Sequence, residues 1–380
     1  MLDEVSIDRQ LQREAAFVPP FCPRFKCRNH QPEWARKDFW HKHGIVSLKR
    51  FPYAAQRFQC KDCFASFSAS FFQLHYRQKV WGLNKLIWEY HQIGASKRAT
   101  SRKIGHSERL VRTRLRNMAR FAELKHAKFT ESLRIEESIV YDGLENFSFS
   151  QYDPNNINHA VGKRSLFIYD FNFAPLNRKG RMSPIQKRRK RLLENRHGGY
   201  PKDAIRSTTK RIFERLLKRT KELTIYTDRH FQYARVVTED LKDQSIRQIK
   251  VSSKIFRNFR NPLFAVNNVD LQARHLLAAF KRETIAFAKH EVAMQDSFLL
   301  YAVERNYMRA KFYGTHRSDP ESAKKSPAME LGIMKKILRF EDFFRDRVLP
   351  TQVKLNEDAQ NRYERRMRFS RRVIARAPAI

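Results

Sequence analysis

The chain has 380 residues, of which 41% are apolar and 12% aromatic. This composition is typical of a folded protein and excludes wholesale disorder, and the length allows two or three domains. No apolar run approaches the roughly 20 residues that a membrane-spanning helix needs. The polar N-terminus, with Asp3, Glu4 and Asp8, lacks the pattern of a secretory signal. We therefore expect a cytoplasmic protein.

The chain is strongly basic, because 77 lysines and arginines oppose 39 acidic residues for a formal net charge of +38. The basic residues are spread from Arg24 to Arg376. Such an excess is typical of proteins that bind polyanions, whereas a merely solvated surface would carry more compensating acids. Nucleic acid is favoured over an anionic membrane because no amphipathic anchor segment is visible. We therefore expect a nucleoid-associated protein.

All the cysteines lie near the N-terminus and form two closely spaced pairs: Cys22, Cys27, Cys60 and Cys63. A Cys-x4-Cys and a Cys-x2-Cys knuckle can close one tetrahedral thiolate site, so the spacing predicts structural zinc rather than disulfides. Three histidines between the knuckles are alternative ligands that we interpret as surface residues: His30, His41 and His43. We predict an N-terminal arm over residues 1–20 and a zinc ribbon over residues 21–75, folded largely by its metal.

Residues 80–125 have the pattern of a helix-turn-helix DNA-binding domain. Ser96 can cap a short helix, Gly105 marks a turn, and a second helix begins near Glu108. Its predicted inward face is apolar: Leu110, Val111, Leu115 and Met118. Its predicted outward face is basic: Arg109, Arg112, Arg114 and Arg116. This order predicts that the second helix enters the DNA major groove, and the alternative is an ordinary basic pair of amphipathic helices.

From about residue 135 the chain changes to short apolar, β-branched segments typical of strands. The predicted strands cover residues 137–143, 165–173, 224–229 and 246–251. A basic insertion over residues 178–221 separates the second from the third, and it predicts two helices broken at Gly198 to Pro201. This alternation predicts a multi-domain α/β protein with a mixed sheet flanked by helices. A basic C-terminal extension over residues 314–380 follows, and we expect its arginine-rich tail, Arg362 to Arg376, to contact phosphates.

Two of the predicted strands end in a carboxylate, Asp142 and Asp228. Strands that run side by side bring such residues together, and two close carboxylates favour a bound divalent cation because they repel each other. Mg²⁺ or Mn²⁺ held in this way is the arrangement used for phosphodiester chemistry. The alternative is that each Asp only stabilises a turn. Asp170 and Glu145 are nearby acids that rank lower as metal ligands.

The segment from Ala265 to Phe312 predicts a helix with a polar face directed at one place. Asn267, Asp270 and Arg274 are spaced i, i+3 and i+7, and so they share that face. The predicted buried side is apolar: Leu271, Leu276, Leu277, Phe280, Ile285 and Phe287. His275 is either a phosphate contact or hydrogen-bond donor at this site or a plain surface residue.

This segment resembles the last part of bacterial DDE transposases of the insertion-sequence-one group. The matching positions are Arg274, Arg282, Thr284, Phe287 and Lys289. The resemblance extends from Cys22 to about Tyr313, because the same order of zinc ribbon and helix-turn-helix is found in that group. It implies a ribonuclease-H-like catalytic domain over residues 135–313. This chain departs from the pattern at Asn267, where the group has Glu, and the nearest carboxylate is Asp270.

The resemblance implies an enzyme that binds the terminal inverted repeats of a mobile element as a homo-oligomer, cuts its ends and joins them to target DNA. The implied catalytic residues are Asp142, Asp228 and Asp270, with Asn267 assisting. Asp142 and Asp228 would bind Mg²⁺ or Mn²⁺, while Arg274 and Lys289 would steady the DNA. The alternative is a transposase-derived DNA-binding protein, a regulator or domesticated relic, with an impaired catalytic site. A nuclease or RNA-processing enzyme on the same fold is a third interpretation.

Overall fold

A computed structural model describes residues 16–49, 53–281, 284–312, 321 and 324–366. The chain is a mixed α/β protein with a three-stranded and a five-stranded sheet, so the predicted class is confirmed at this level. It divides into two compact units. The cysteine unit comprises the described parts of Met1–Tyr90, Thr100–Glu131 and Leu338–Asn356. The sheet unit comprises those of His91–Ala99, Ser132–Ile337 and Glu357–Ile380. In these described ranges no helix combines the length and the apolar character that crossing a membrane requires.

The cysteine unit contains a small antiparallel sheet with the strand order β1-β2-β3. The strands are β1 (Trp40–Ser47), β2 (Ala54–Cys60) and β3 (Ser66–Ser68). Because side chains alternate along a strand, Phe58 and Cys60 both turn inward from β2 and are fully buried. Phe58 joins Phe21 and Phe72 in an aromatic core, in which the Phe21 and Phe72 ring centroids are 5.0 Å apart. The end of β2 is thereby fixed at Cys60.

Three helices follow this sheet: α1 (Leu83–Gln92), α2 (Lys97–Ile104) and α3 (Glu108–Phe129). Gly105, between α2 and α3, has a φ of +67°, a conformation that glycine adopts without strain. The Ser107 hydroxyl accepts a hydrogen bond from the Leu110 N–H at 3.3 Å and so caps α3. The predicted succession of helix, glycine turn and helix is present.

A C-terminal segment completes the core of the cysteine unit. Helix α10 (Phe340–Phe343) leads into Phe344, whose ring packs 5.3 Å from that of Trp88 on α1. His30 Nε2 lies 2.7 Å from Thr351 Oγ1, and its Nδ1 lies 2.9 Å from the Cys22 carbonyl oxygen. Part of the predicted extension is therefore packed core, and the interpretation of His30 as a surface residue is wrong. His41 and His43 are exposed on β1, as expected.

The sheet unit is organised around a five-stranded sheet with the order β6-β5-β4-β7-β8. The strands are β4 (Ile139–Phe147), β5 (Pro154–Gly162), β6 (Ile168–Pro175), β7 (Leu223–Thr227) and β8 (Ile246–Lys250). β4, β5 and β6 pair antiparallel, whereas β7 and β8 continue the sheet parallel to β4. The four predicted strands are confirmed as elements of a mixed sheet. The sequence pattern missed β5, which is rich in asparagine.

The sheet unit also contains the helices α4 (Pro184–His197), α5 (Ala204–Leu217), α6 (Phe231–Arg235), α7 (Phe264–Leu276), α8 (Glu291–Val303), α9 (Pro327–Glu330) and α11 (Glu357–Glu364). The basic insertion forms two helices broken at residues 198–201, as predicted. None of the α4 side chains is buried. In contrast, α5 buries one face that includes Ile212 and Phe213. The insertion is therefore anchored through α5 and exposes the basic surface of α4.

Helix α7 packs against β4 and β5 through small and branched side chains. Its buried residues are Ala265, Val266, Val269 and Ala273. The predicted apolar back is wrong at two positions, because Leu271 is 68% and Ile285 91% exposed. The helix ends at Leu276, and the chain then turns so that Leu277 and Phe280 are buried from a separate segment.

Candidate metal and nucleic-acid sites

Four thiols converge in the cysteine unit. The sulfur atoms of Cys22, Cys27, Cys60 and Cys63 all lie within 4.8 Å of one another. The Sγ–Sγ distance is 3.5 Å between Cys22 and Cys63 and 3.8 Å between Cys27 and Cys60, and all four thiols are free. Tetrahedral ligands with metal–sulfur bonds of about 2.3 Å are roughly 3.8 Å apart. The predicted cluster is therefore formed and can bind a metal ion such as zinc.

The backbone around the cluster forms tight turns that hold the thiols in place. The Cys27 N–H donates to the Arg24 carbonyl at 2.9 Å, and the Phe64 N–H donates to the Cys60 carbonyl at 3.0 Å. Burial raises the pKa of the Cys22 and Cys27 thiols. A metal must therefore displace protons to bind here, which makes binding weaker as the pH falls.

The strand register brings two of the predicted acidic residues together. Asp142 lies within β4, since this strand continues to Phe147, and the prediction that it ends the strand is wrong. Asp228 directly follows β7. β7 runs parallel to β4 with Val140 opposite Tyr226, so continuing both chains by the same number of residues places Asp142 beside Asp228. The Asp228 Oδ1 accepts a hydrogen bond from the His230 N–H at 2.8 Å.

The third acid approaches from α7. The pKa of Asp142 is raised from 3.8 to about 7. Burial is the largest cause, followed by the negative charges of Asp270 and Asp228. Tyr233 on α6 is 2% exposed, and burial together with the same three carboxylates raises its pKa well above the usual value. Asp142, Asp228 and Asp270 are therefore electrostatic neighbours. Their mutual repulsion is relieved by a proton or a cation.

His159 also belongs to this site and was missed in the sequence. It lies on β5 directly opposite Asp142, and its Nε2 is 3.3 Å from Asp270 Oδ1. Its side chain is fully buried. The only signal in the sequence is a histidine within an asparagine-rich segment, which has no apolar alternation to mark it as a strand.

The other predicted residues belong to α7 and to the segment that follows it in the sequence. Asn267 is half-buried on α7, one turn before Asp270. The Arg274 Nη2 donates to the Glu145 carbonyl at 3.1 Å. Lys289 is exposed, with its Nζ 3.0 Å from the centroid of the Phe287 ring. His275 is exposed, and Arg282 lies outside the described residues.

The two lower-ranked acids face away from this site. Asp170 pairs with Ala160 of β5, which pairs with Tyr141 of β4, whereas Asp142 pairs with His159. Because side chains alternate between faces, Asp170 points to the opposite side of the sheet, where its Oδ2 is 2.6 Å from Arg215 Nε. Glu145 is an odd number of residues from Asp142 and lies on the opposite face for the same reason.

Three of the four predicted DNA-binding arginines of α3 are exposed: Arg109, Arg112 and Arg116. Arg114 is only 5% exposed and donates to the Val80 carbonyl. Burial lowers its pKa to about 10. The prediction that Arg114 lies on the outward face is therefore wrong, because its side chain packs inside the cysteine unit beside the confirmed inward residues Val111, Leu115 and Met118.

An exposed loop that alternates basic and aromatic residues precedes α7 and was also missed. Residues 253–260 are all exposed, including Phe256 at 80% and Phe259 at 67%. Lys254, Arg257 and Arg260 lie among them. The base of the loop is fixed by Asn261, whose Nδ2 donates to the Ile255 and Phe256 carbonyls at 3.2 and 3.0 Å. Exposed rings between basic side chains are typical of surfaces on which unpaired bases stack.

The two clusters differ in compactness. Within the described ranges, the cysteines form the only group of three or more His, Cys, Asp or Glu residues whose ligand atoms all lie within 4.8 Å of one another. The carboxylates are more widely spaced.

Comparison of the chain with known protein-family models and with curated proteins finds no match. Function is therefore inferred from the geometry and from the resemblance of the α7 segment.

Replacing Cys60 by Ala should remove bound metal from the cysteine unit, because the cluster loses one of its four ligands. Zinc in the purified chain, measured by atomic absorption, should fall from about one ion per chain to a small fraction of that, and the thermal transition of this unit should broaden and shift down. His41→Ala, an exposed histidine between the two knuckles, is the matched control and should retain the zinc. Equal zinc in the Cys60→Ala and wild-type chains would contradict the assignment.

Replacing Asp142 by Asn should raise the free energy of unfolding in buffer without added divalent cation. We expect this effect only above about pH 4. The pKa of Asp142 rises from 3.8 to about 7 on folding, so the unfolded chain releases this proton first and wild-type stability falls as the pH rises between those values. The advantage of the variant should grow across that interval to a few kcal/mol and then stay constant above pH 7. Thermal unfolding of both chains from pH 4 to pH 8 measures it. An advantage that does not change with pH would show that burial and the neighbouring acids do not raise the pKa of Asp142.

Proposed function

We propose that this chain is a DDE-type transposase that cuts and joins DNA, with Asp142, Asp228 and Asp270 as its catalytic carboxylates. The observation that carries the proposal is the placement of these three acids. The register of β4 and β7 puts Asp142 beside Asp228, and Asp270 Oδ1 on α7 lies 3.3 Å from Nε2 of His159, the residue opposite Asp142. A mixed sheet flanked by helices is also what the resemblance to a ribonuclease-H-like domain implies.

The donor set suits divalent cations, because hard cations take carboxylate oxygens as ligands and a buried imidazole nitrogen faces one of these carboxylates. Mg²⁺ or Mn²⁺ bound there would activate the attacking hydroxyl and neutralise charge on the leaving oxygen. Asp142 and Asp228 would hold the cations from adjacent strands, and Asp270 would close the site from α7. In cutting, the oxygen of water bonds to phosphorus as the bond to the element's 3′ oxygen breaks. In joining, the oxygen of that 3′-hydroxyl bonds to a phosphorus of the target DNA as the bond from that phosphorus to the target's own 3′ oxygen breaks, which leaves a 3′-hydroxyl on the target strand.

Basic side chains near the acids can hold the DNA backbone. Arg274 reaches from α7 to the end of β4, and Lys289 is exposed in the segment after it. The loop with Phe256 and Phe259 offers exposed rings for bases that leave the duplex during cleavage. The chain's net charge of +38 supports a long contact with phosphates.

The cysteine unit would recognise the DNA. We assign its four thiols to structural zinc. We assign helices α2 and α3 to a helix-turn-helix, with Arg109, Arg112 and Arg116 facing the major groove. Such an enzyme would work as a homo-oligomer on duplex DNA, since two ends of the element must be joined together.

Cleavage of duplexes that carry the repeats flanking the gene, with Mn²⁺ present, tests the enzyme. Wild type should nick the repeat boundary, whereas Asp228→Ala and Asp270→Asn should be slower by about a hundredfold or more, because each removes several kcal/mol of charge stabilisation. Asn267→Ala, one turn away on the same helix, should stay within about tenfold of wild type. The opposite order for the two α7 variants would make Asn267 the third ligand. Binding without a cut in the wild type would leave a DNA-binding relic.

Arg116→Ala should weaken DNA binding, whereas Arg114→Ala should lower the stability of the fold. Loss of the exposed Arg116 should weaken DNA binding and reduce the slope of log K against log salt by about 0.9 per lost phosphate contact, with unchanged thermal stability. Loss of the buried Arg114 should lower the melting temperature, since the Val80 carbonyl loses its partner. Fluorescence anisotropy at several salt concentrations, with melting curves, separates the effects. Equal losses of affinity without any loss of stability would place Arg114 on the DNA after all.

A further inference from the structure

We infer that His159 is a metal ligand of the carboxylate site, paired with Asp270, and that the site takes a transition-metal dication such as Mn²⁺ in preference to Mg²⁺. The inference rests on the proposed function, since it adds a nitrogen ligand to the same site. It names the class of cation that this chain would use.

The side chain of His159 is held rigidly toward the acids. It lies on β5 opposite Asp142 of β4, so both side chains project from the same face of the sheet. It is fully buried, and its ring packs against Phe298 of α8 with the centroids 5.6 Å apart. α7 covers this face, which brings Asp270 over the ring.

The hydrogen bonding of the imidazole identifies the nitrogen that is available to a metal. His159 Nδ1 lies 3.1 Å from the Ile157 carbonyl oxygen, which can only accept, so Nδ1 carries the proton and donates. The Nε2 atom then presents a lone pair. Nε2 is buried and makes no hydrogen bond to any residue in the described ranges. A histidine that donates one N–H to a carbonyl and leaves the other nitrogen bare has the arrangement found in metal ligands.

The distance from this nitrogen to Asp270 fits two ligands on one ion. Nε2 and Asp270 Oδ1 are 3.3 Å apart, and both are acceptors, so a cation between them is needed for attraction. Metal–ligand bonds of 2.0 to 2.2 Å place neighbouring ligands about 3.0 to 3.4 Å apart.

A nitrogen ligand changes which ion the site prefers. Sites built only of carboxylate, carbonyl and water oxygens suit Mg²⁺, whereas an imidazole shifts the preference toward transition metals. Asp142, beside His159, and Asp228, beside Asp142, would add negative charge near the same ion through bridging water. The resulting set of one nitrogen and several oxygens favours Mn²⁺ over Mg²⁺.

The decisive experiment detects the nitrogen on the metal itself. The full-length chain, with zinc already in its cysteine cluster, is loaded with Mn²⁺ and studied by electron spin echo envelope modulation. Wild type should show ¹⁴N modulation from a bound imidazole, and labelling the histidines with ¹⁵N should replace that pattern. His159→Asn should lose the modulation and bind Mn²⁺ at least about tenfold more weakly. His290→Asn, an exposed histidine at the start of α8, is the matched control and should keep both.

Each other result overturns a defined part of the inference. Mn²⁺ bound by wild type without nitrogen modulation removes His159 as a ligand but leaves the carboxylate site and the proposed function standing. Modulation that persists in His159→Asn assigns the nitrogen to another histidine. Displacement of Mn²⁺ by equimolar Mg²⁺ refutes the preference. A folded wild-type chain, checked by circular dichroism, that binds no Mn²⁺ refutes the metal site altogether, whereas the ¹⁵N comparison needs no variant to fold.

Discussion

The repulsion among carboxylates on a half-buried strand is the constraint on which the sheet unit depends. Asp142 lies within the central strand, with Asp228 beside it on β7 and Asp270 above it on α7. Poor hydration strengthens this repulsion, so the unit holds the acids together against their electrostatic preference. It can do so because the neighbouring residues of β4, Val140 and Leu144, are fully buried and keep the strand rigid. Ionisable groups whose pKa is shifted by burial and by like charges are typical of functional sites.

The rigidity on the opposite face of the sheet comes from polar groups. Asn158 Nδ2 donates to Thr208 Oγ1 of α5 at 2.8 Å and to Asn172 Oδ1 of β6 at 3.2 Å. Asn172 Nδ2 in turn donates to the Thr208 carbonyl at 2.8 Å. Buried amides that satisfy each other in this way fix a single arrangement, because any shift leaves a buried group unpaired. The network holds β5 in register against α5, and the other face of the same strand can then present His159 at a fixed position.

The parts of the fold that the sequence predicts are those governed by local pattern. Cysteine spacing predicts the thiolate cluster because the ligands of each knuckle are close in sequence, and β-branched runs predict the strands that carry Asp142 and Asp228. β5 was not predicted because it lacks alternating apolar side chains. Its buried side chains are largely polar and are stabilised by hydrogen bonds. The predictions that Arg114 is exposed and Leu271 is buried are wrong for a related reason. Helical periodicity assigns a face by residue type, while tertiary packing buries a guanidinium and exposes a leucine.

The third acid depends on tertiary packing most of all, since its identity follows from how α7 is placed and rotated. The buried Arg305 grips the helix at two positions one turn apart, with Nη2 2.7 Å from Asn268 Oδ1 and Nη1 2.7 Å from Gln272 Oε1.

Small residues on the buried side let the helix come close to β4 and β5, and this placement puts Asp270 within 3.3 Å of His159. Asn267, about 4.5 Å earlier along the axis, occupies the position where the resembled pattern has its acid. A helix seated one turn differently would exchange the two roles. An amide at position 267 is therefore compatible with an intact set of three carboxylates, because packing and not spacing along the chain decides which side chain reaches the strand acids.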